Sequence, residues 1–159
     1  MNGNVKYSFL EAKHKIEAWC AYQDRCHSEV YQKLRNYGLD DKDTNALIAH
    51  LIEYDFLNEQ RFANSFVSGK YRIKKWGRNK IIAHLKQKNI PEKCIDHALK
   101  EIDPEEYLNH LETLAKKKWK EKKGTSFEIK VKVQHYLASK GYEFELIYTV
   151  LENLEQQEN

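Results

Sequence analysis

Three stretches of this chain superpose at a nearly fixed interval: VYQKLRNYGL at 30 to 39, IIAHLKQKNI at 81 to 90 and VQHYLASKGY at 133 to 142. One column holds Val30, Ile81 and Val133, the next Leu34, Leu85 and Leu137, and a terminator column reads Gly38, Asn89 and Gly141. Downstream, Leu47 aligns with Ala98 and Val150, Ile48 with Leu99 and Leu151, and Leu51 with Ile102 and Leu154. The first step is 51 residues and the second 52. A period of this size marks a supersecondary unit repeated in tandem, each copy with a core small enough that stacking on its neighbours matters for stability.

The repeated element is helical. Ser8 with Glu11 and Thr125 with Glu128 fit the capping box, in which a hydroxyl and a Glu three residues on satisfy each other's free backbone donors. Asp103-Pro104-Glu105-Glu106 sets an N-cap, a Pro for the first helical position and two acids against the positive end of a helix dipole. Pro91 suits a helix start in the same way, and Asn58 before Glu59 is a further cap. Stops fall at Gly38 and Gly141, where glycine takes a left-handed conformation without a Cβ penalty, and Asn89 is the next best residue for that state. Upstream helices are expected over 8 to 22, 59 to 73 and 104 to 122, so three units of three helices cover the chain: 1–56, 57–102 and 103–159. Alternation of the strand type is scarce.

A 159-residue chain with 41% hydrophobic and 32% charged residues can bury a core yet carries more charge than the roughly 25% of an ordinary domain. Cys20, Cys26 and Cys94 form neither a disulfide framework nor a zinc knuckle and are expected as reduced thiols. The N-terminal residues lack the apolar core of a secretory signal. The longest apolar run, AWCAY at 18 to 22, is far short of the ~20 residues that cross a bilayer. A soluble, cytoplasmic monomer without a membrane partner is the expectation.

The charge is segregated. From Gln60 to Pro91 there are nine Lys or Arg and no Asp or Glu, while the whole chain carries only +3, so the remainder sums to −6. A surface made only for solubility mixes both signs. In the middle helix, 78 to 88, Ile81, Ile82 and Leu85 share an arc of about 100°, leaving Asn79, Lys80, Lys86 and Gln87 outward. The upstream helix buries Phe62, Ala63, Phe66 and Val67 in the same manner. Most aromatics lie at helical spacing and are expected in the core. Trp76 differs, because it sits in the connection KKWGRNK beside Lys74, Lys75 and Arg78, where Gly77 permits a tight turn. A second run, Lys116 to Lys123, again surrounds a Trp, Trp119, with lysines.

Catalytic signatures are missing: the sequence has no GxxxxGK[ST], GxGxxG, GxSxG or HExxH. Cys94 and His97 are one helical turn apart, but a structural zinc site takes about four such ligands. Asp40, Asp41 and Asp43 read as helix-start acids, and the acidic residues from Glu143 to Glu158 as a solvated helix face. Neither an enzyme nor a cofactor or metal is indicated. Lysine supplies point charges for phosphates, whereas base readout uses the forks of Arg, Asn or Gln. The basic segment therefore points to salt-sensitive attachment, independent of sequence, to single- or double-stranded DNA, or to an acidic protein surface.

The central stretch YDFLNEQRFANSFVSGKYRIKKWGRNKIIAHLKQKNI, residues 54 to 90, resembles that of the RecX regulatory protein family. The resemblance is carried by Phe56-Leu57, Asn58-Glu59, Arg61-Phe62-Ala63, the basic helix, Gly77 to Ile81, and Leu85 to Ile90. Asn58 and Asn89 stand where the family has Asp and Gly, and each keeps the capping ability of the residue it replaces. The weaker outer repeats extend the likeness over residues 10 to 155. It implies an all-α, elongated, curved right-handed array of three tandem three-helix repeats that modulates the RecA recombinase without being an enzyme. Such a protein lies in the groove of the RecA filament on DNA and restrains ATP hydrolysis, strand exchange and repressor cleavage. On this chain the contact candidates are Lys70, Arg72, Lys74, Lys75, Trp76, Arg78, Lys80, Lys86 and Lys88, chosen by charge and position. The alternative is a DNA-binding helical module that acts without a recombinase. The acidic helix expected over 143 to 156 is a candidate mask for the basic middle.

Overall fold

The computed structural model of the protein describes residues 6–158. Those residues form nine α-helices and no strand. They are α1 Phe9–Tyr22, α2 His27–Asn36, α3 Asp41–Glu53, α4 Glu59–Arg72, α5 Arg78–Gln87, α6 Glu92–Leu99, α7 Pro104–Glu121, α8 Ser126–Ser139 and α9 Phe144–Glu158.

The punctuation read from the sequence is present. Both capping boxes form, at Ser8 with Glu11 and at Thr125 with Glu128. Asn58 accepts from the Arg61 amide at 2.9 Å, and Asp103 accepts from Glu105 at 3.3 Å with Pro104 opening α7. Pro91 occupies the cap position itself, one residue before α6. Gly38, Asn89 and Gly141 all adopt positive φ, +91°, +60° and +99° respectively, so the terminator column marks three left-handed helix ends.

Two apolar cores form. The first lies within α1–α3 and the turn after them: Ala12, Ile16, Val30, Leu34, Leu47, Leu51 and Leu57. The second runs unbroken from α4 to α9, through Phe62, Val67, Tyr71, Ile81, Leu85, Leu111, Leu137, Ile147 and Leu151. Cys26, in the loop before α2, is fully buried and belongs to the second core. Its thiol is pushed up from its ordinary range chiefly by burial, which keeps it uncharged. The accessible surface, 10034 Å², exceeds the roughly 8,400 Å² of a compact monomer of 19.0 kDa, as expected of helices packed in file.

The second helices of the triplets meet end to end. At the end of α8 the carbonyls of Lys140 and Gly141 accept from the amides of Gly77 and Asn79, at 2.8 and 2.9 Å, so the negative end of one helix satisfies the free donors at the start of α5. The Arg78 amide between them donates to the Tyr107 hydroxyl at 3.0 Å. One step along, the Lys88 carbonyl after α5 accepts from the Ser28 hydroxyl in α2 at 2.9 Å. At the last of these ends the Tyr37 carbonyl after α2 accepts from the Tyr7 amide at 2.9 Å. The segment before α1 thus covers the end of α2, and the capping box at Thr125 closes the start of α8.

The acidic helix α9 packs on α7 and α8. Glu152 and Glu155 pair with Lys130, the latter at 3.0 Å, and Glu158 accepts from the Trp119 indole. Glu152, Glu155 and Glu158 are thus engaged within their own triplet, so the ion pairs of the described residues bring one member of the acidic segment 143 to 156 to the basic helices. Only Glu143, just before α9, reaches α5.

Candidate nucleic-acid interface

The connection from α4 to α5, residues 73 to 77, is held by backbone bonds. The Trp76 amide donates to the Lys70 carbonyl at 2.9 Å, and Lys75 takes φ +57° to turn the chain. The third triplet pins two successive carbonyls of this loop: the Lys140 ammonium donates to Lys74 at 2.9 Å and the Tyr142 hydroxyl to Lys75 at 2.8 Å. Gly77 has an ordinary φ of −79°, so a tight turn is not why glycine is there. A Cβ at Gly77 would lie 2.2 Å from the Gly141 carbonyl carbon, and the residue is small because two backbones touch.

This loop gathers some of the residues picked from sequence and separates others. Lys70 and Lys80 place their ammonium groups 4.7 and 4.4 Å from the centre of the Trp76 ring. Trp76 is half-buried, with His84 at 4.6 Å and Phe66 at 6.4 Å between ring centres. It is a platform for lysines rather than a free stacking surface. Lys74 is exposed beside them. Lys86 is also exposed, further along α5.

Four candidates are turned elsewhere. Arg78 pairs with Glu143 at 2.7 Å and lies 4.0 Å over the Tyr107 ring, and the Tyr107 hydroxyl donates to the same carboxylate. Burial and that carboxylate push the Tyr107 hydroxyl well above its ordinary range. Lys88 pairs with Glu29 at 3.1 Å. Lys75 sits 3.2 Å from His110 Nε2, whose pKa is depressed by burial and then by that ammonium. Arg72 stands about 200° around α4 from Lys70 and lines a recess of about 610 Å³ with Asn64, Ser68 and Glu101. In the second basic run Trp119 is only 5% exposed and belongs to the core, so that run offers lysines without an aromatic face.

The motif residues at 58 to 85 are architectural. Glu59 accepts from the His27 amide at 2.7 Å across the α2 junction. Arg61 pairs with Asp24 at 2.9 Å and Asp55 at 3.1 Å, and those carboxylates hold its guanidinium above its ordinary pKa. Phe62, Ile81 and Leu85 are buried. Tyr107, Tyr142 and Lys140, which the sequence does not single out, complete this region from the third triplet together with Glu143 of the acidic segment. Lys140 was within reach, because it falls in the same repeat column as Lys88. Burial, then Lys80 and Lys74, lower its pKa, the mark of like charges crowded without a counter-ion.

Known proteins meet this chain in both sequence and shape. The family model described as RecX, second three-helix domain, matches residues 58–99, and that for the third three-helix domain matches residues 105–151. The Regulatory protein RecX of Clostridium tetani is 34% identical over 149 residues, which are 92% of this chain and 63% of that protein. The chain therefore spans less than two thirds of that relative's length. The Regulatory protein RecX of Vibrio campbellii is 31% identical, covering 87% of this chain and 88% of that protein. The crystal structure of RecX from Lactobacillus salivarius superposes with a TM-score of 0.82 at 23% identity, covering 93% of this chain and 97% of that one. Among the described residues no helix is long and apolar enough to cross a membrane. With both helical repeats matched and relatives aligned along most of its length, the chain belongs to the RecX family of regulatory proteins.

Proposed function

We propose that this chain regulates the RecA recombinase without catalysing a reaction, by lying along the groove of the RecA–DNA filament as a monomeric array of the units 1–56, 57–102 and 103–159. Bridging successive protomers would favour one filament geometry and so restrain ATP hydrolysis, strand exchange and repressor cleavage. A ligand shifts such an equilibrium only through its different affinity for the two states.

The observation that carries this reading is the set of lysines around Trp76 that have no paired carboxylate among the described residues: Lys70, Lys74 and Lys80. Lys86 extends the charge along α5. Arg78 and Lys88 leave the contact surface in this reading, because each already holds two triplets together. Point charges on a stiff loop suit phosphates at a fixed spacing.

The test is DNA-dependent ATP hydrolysis by the cognate RecA with rising amounts of the chain and of a Lys70→Glu/Lys74→Glu/Lys80→Glu variant. A fall at substoichiometric amounts, lost in the variant, is the expected result. No effect from either, alongside salt-sensitive binding to bare DNA, would replace this reading with that of a DNA-binding module acting alone.

A further inference from the structure

We propose that Lys140 joins Lys74 and Lys80 in one seat for a backbone phosphate of DNA, built across the contact between α8 and α5. The third triplet would then supply charge to a surface that the sequence assigned to the second. The proposal rests on the filament-binding reading and narrows it to a ligand group and a residue.

Geometry brings the three together. The Lys140 ammonium donates to the Lys74 carbonyl at 2.9 Å, which uses one of its three N–H donors and leaves two. Lys80 packs so closely on the end of α8 that a Cβ at Gly141 would lie 2.4 Å from the Lys80 Cβ. Lys80 is steadied in turn by the Trp76 ring. Among the described residues no carboxylate oxygen lies within 4.0 Å of any of the three ammonium groups. Glu143, the acid nearest in sequence to Lys140, is held by Arg78 and Tyr107.

The cluster is costly as it stands. Burial and, after it, the like charges of Lys80 and Lys74 lower the Lys140 pKa, so its charge lacks a compensating partner. An anion entering among the three would relieve the repulsion. Lysine binds phosphate as a point charge and needs no fixed fork to do so, and several ammonium groups can share the free oxygens of one phosphodiester. The guanidinium of this loop, Arg78, is spent internally.

Lys140 also pins the loop, and the test separates the two roles. Lys140→Gln keeps an N–H for the Lys74 carbonyl and removes the charge. Lys74→Gln removes a charge and leaves its carbonyl in place. Both are titrated with a fluorescein-labelled oligodeoxythymidylate over a salt series, without recombinase, beside Lys140→Arg and a Lys42→Gln control on exposed α3. Each phosphate contact on a single strand contributes about 0.7 to the slope of log affinity against log salt. The expected result is a slope reduced by about 0.7 in Lys140→Gln and in Lys74→Gln, unchanged in Lys140→Arg and Lys42→Gln. Wild-type slopes in both glutamine variants would overturn the phosphate seat and leave the filament reading intact. RecA inhibition by a chain with no salt-dependent affinity for the oligonucleotide would overturn the seat in favour of an acidic protein face. Absence of both RecA inhibition and oligonucleotide binding would overturn seat and filament reading together.

Discussion

The contacts of α8 with α5 and of α5 with α2 occupy the same place in the repeat and are made by different means. Gly77, Asn79 and Lys140 at the first correspond in the repeat to Cys26, Ser28 and Lys88 at the second. At the first, two carbonyls accept from two amides with no room for a Cβ at Gly77, and the side chains of Lys140, Tyr142 and Tyr107 add bonds to this backbone contact. At the second, side chains span the gap, through Ser28 to the Lys88 carbonyl, Glu59 to the His27 amide, and Lys88 to Glu29. The apolar cores follow the same division. One core is continuous from α4 to α9 and takes in Cys26 from the loop before α2, while α1–α3 carry a separate one. Backbone contact fixes distance and direction together, whereas each side-chain tether must lose rotamer freedom to form. The first joint is therefore expected to be the stiff one and the second the pliant one, the difference turning on a glycine exchanged for residues with side chains.

The comparison is tested most severely in the core of α1–α3. Leu47→Ala, at a position 1% exposed, should cost about 2–5 kcal/mol. Hydrogen exchange should show the loss confined to α1–α3. Equal acceleration through α4–α9 would mean that the two cores open as one unit. Gly77→Ala comes next, at about 3 kcal/mol in denaturant unfolding, because backbone atoms cannot rotate out of the way. Its φ suits alanine, so the loss can come only from the contact with Gly141, and a variant of wild-type stability would remove that contact as the basis of stiffness.

Tyr107→Phe takes away the hydroxyl shared by the Arg78 amide and Glu143, and should cost about 2 kcal/mol by leaving half-buried polar groups unpaired. An unfolding midpoint within error of wild type would assign that hydroxyl no structural role. Ser28→Ala removes one side-chain tether at the pliant joint and should cost about 1 kcal/mol. A loss from Ser28→Ala as large as that from Gly77→Ala would erase the distinction between the joints.

Much of the fold was legible because helix ends are local. A capping box needs four consecutive residues, and a left-handed terminator needs one, so Ser8, Asn58, Thr125, Gly38, Asn89 and Gly141 all behave as their identities require. The periodic apolar columns likewise became core, Val30, Ile81 and Val133 each fully buried. The candidate surface was less legible. Lys74 and Lys80 were found by charge, but Arg78 and Lys88 have the same charge and are consumed by Glu143 and Glu29, which are 65 and 59 residues away. Trp119 falls inside a helix expected from sequence and Trp76 in a connection, but lysines surround both, and only packing shows the first buried and the second half-open.

The sequence by itself determined an all-helical chain of three triplets at a 51 to 52-residue period, and placed the helices it delimited, such as 8 to 22, 59 to 73, 78 to 88 and 104 to 122, to within a residue or two, because each depends on neighbours within one or two turns. The tertiary structure alone decided which cations remain unpaired, why Gly77 must be small, and that Lys140 stands with Lys74 and Lys80. Those outcomes depend on atoms brought together from distant parts of the chain, where a carboxylate a few ångströms nearer turns a ligand-facing charge into a structural one.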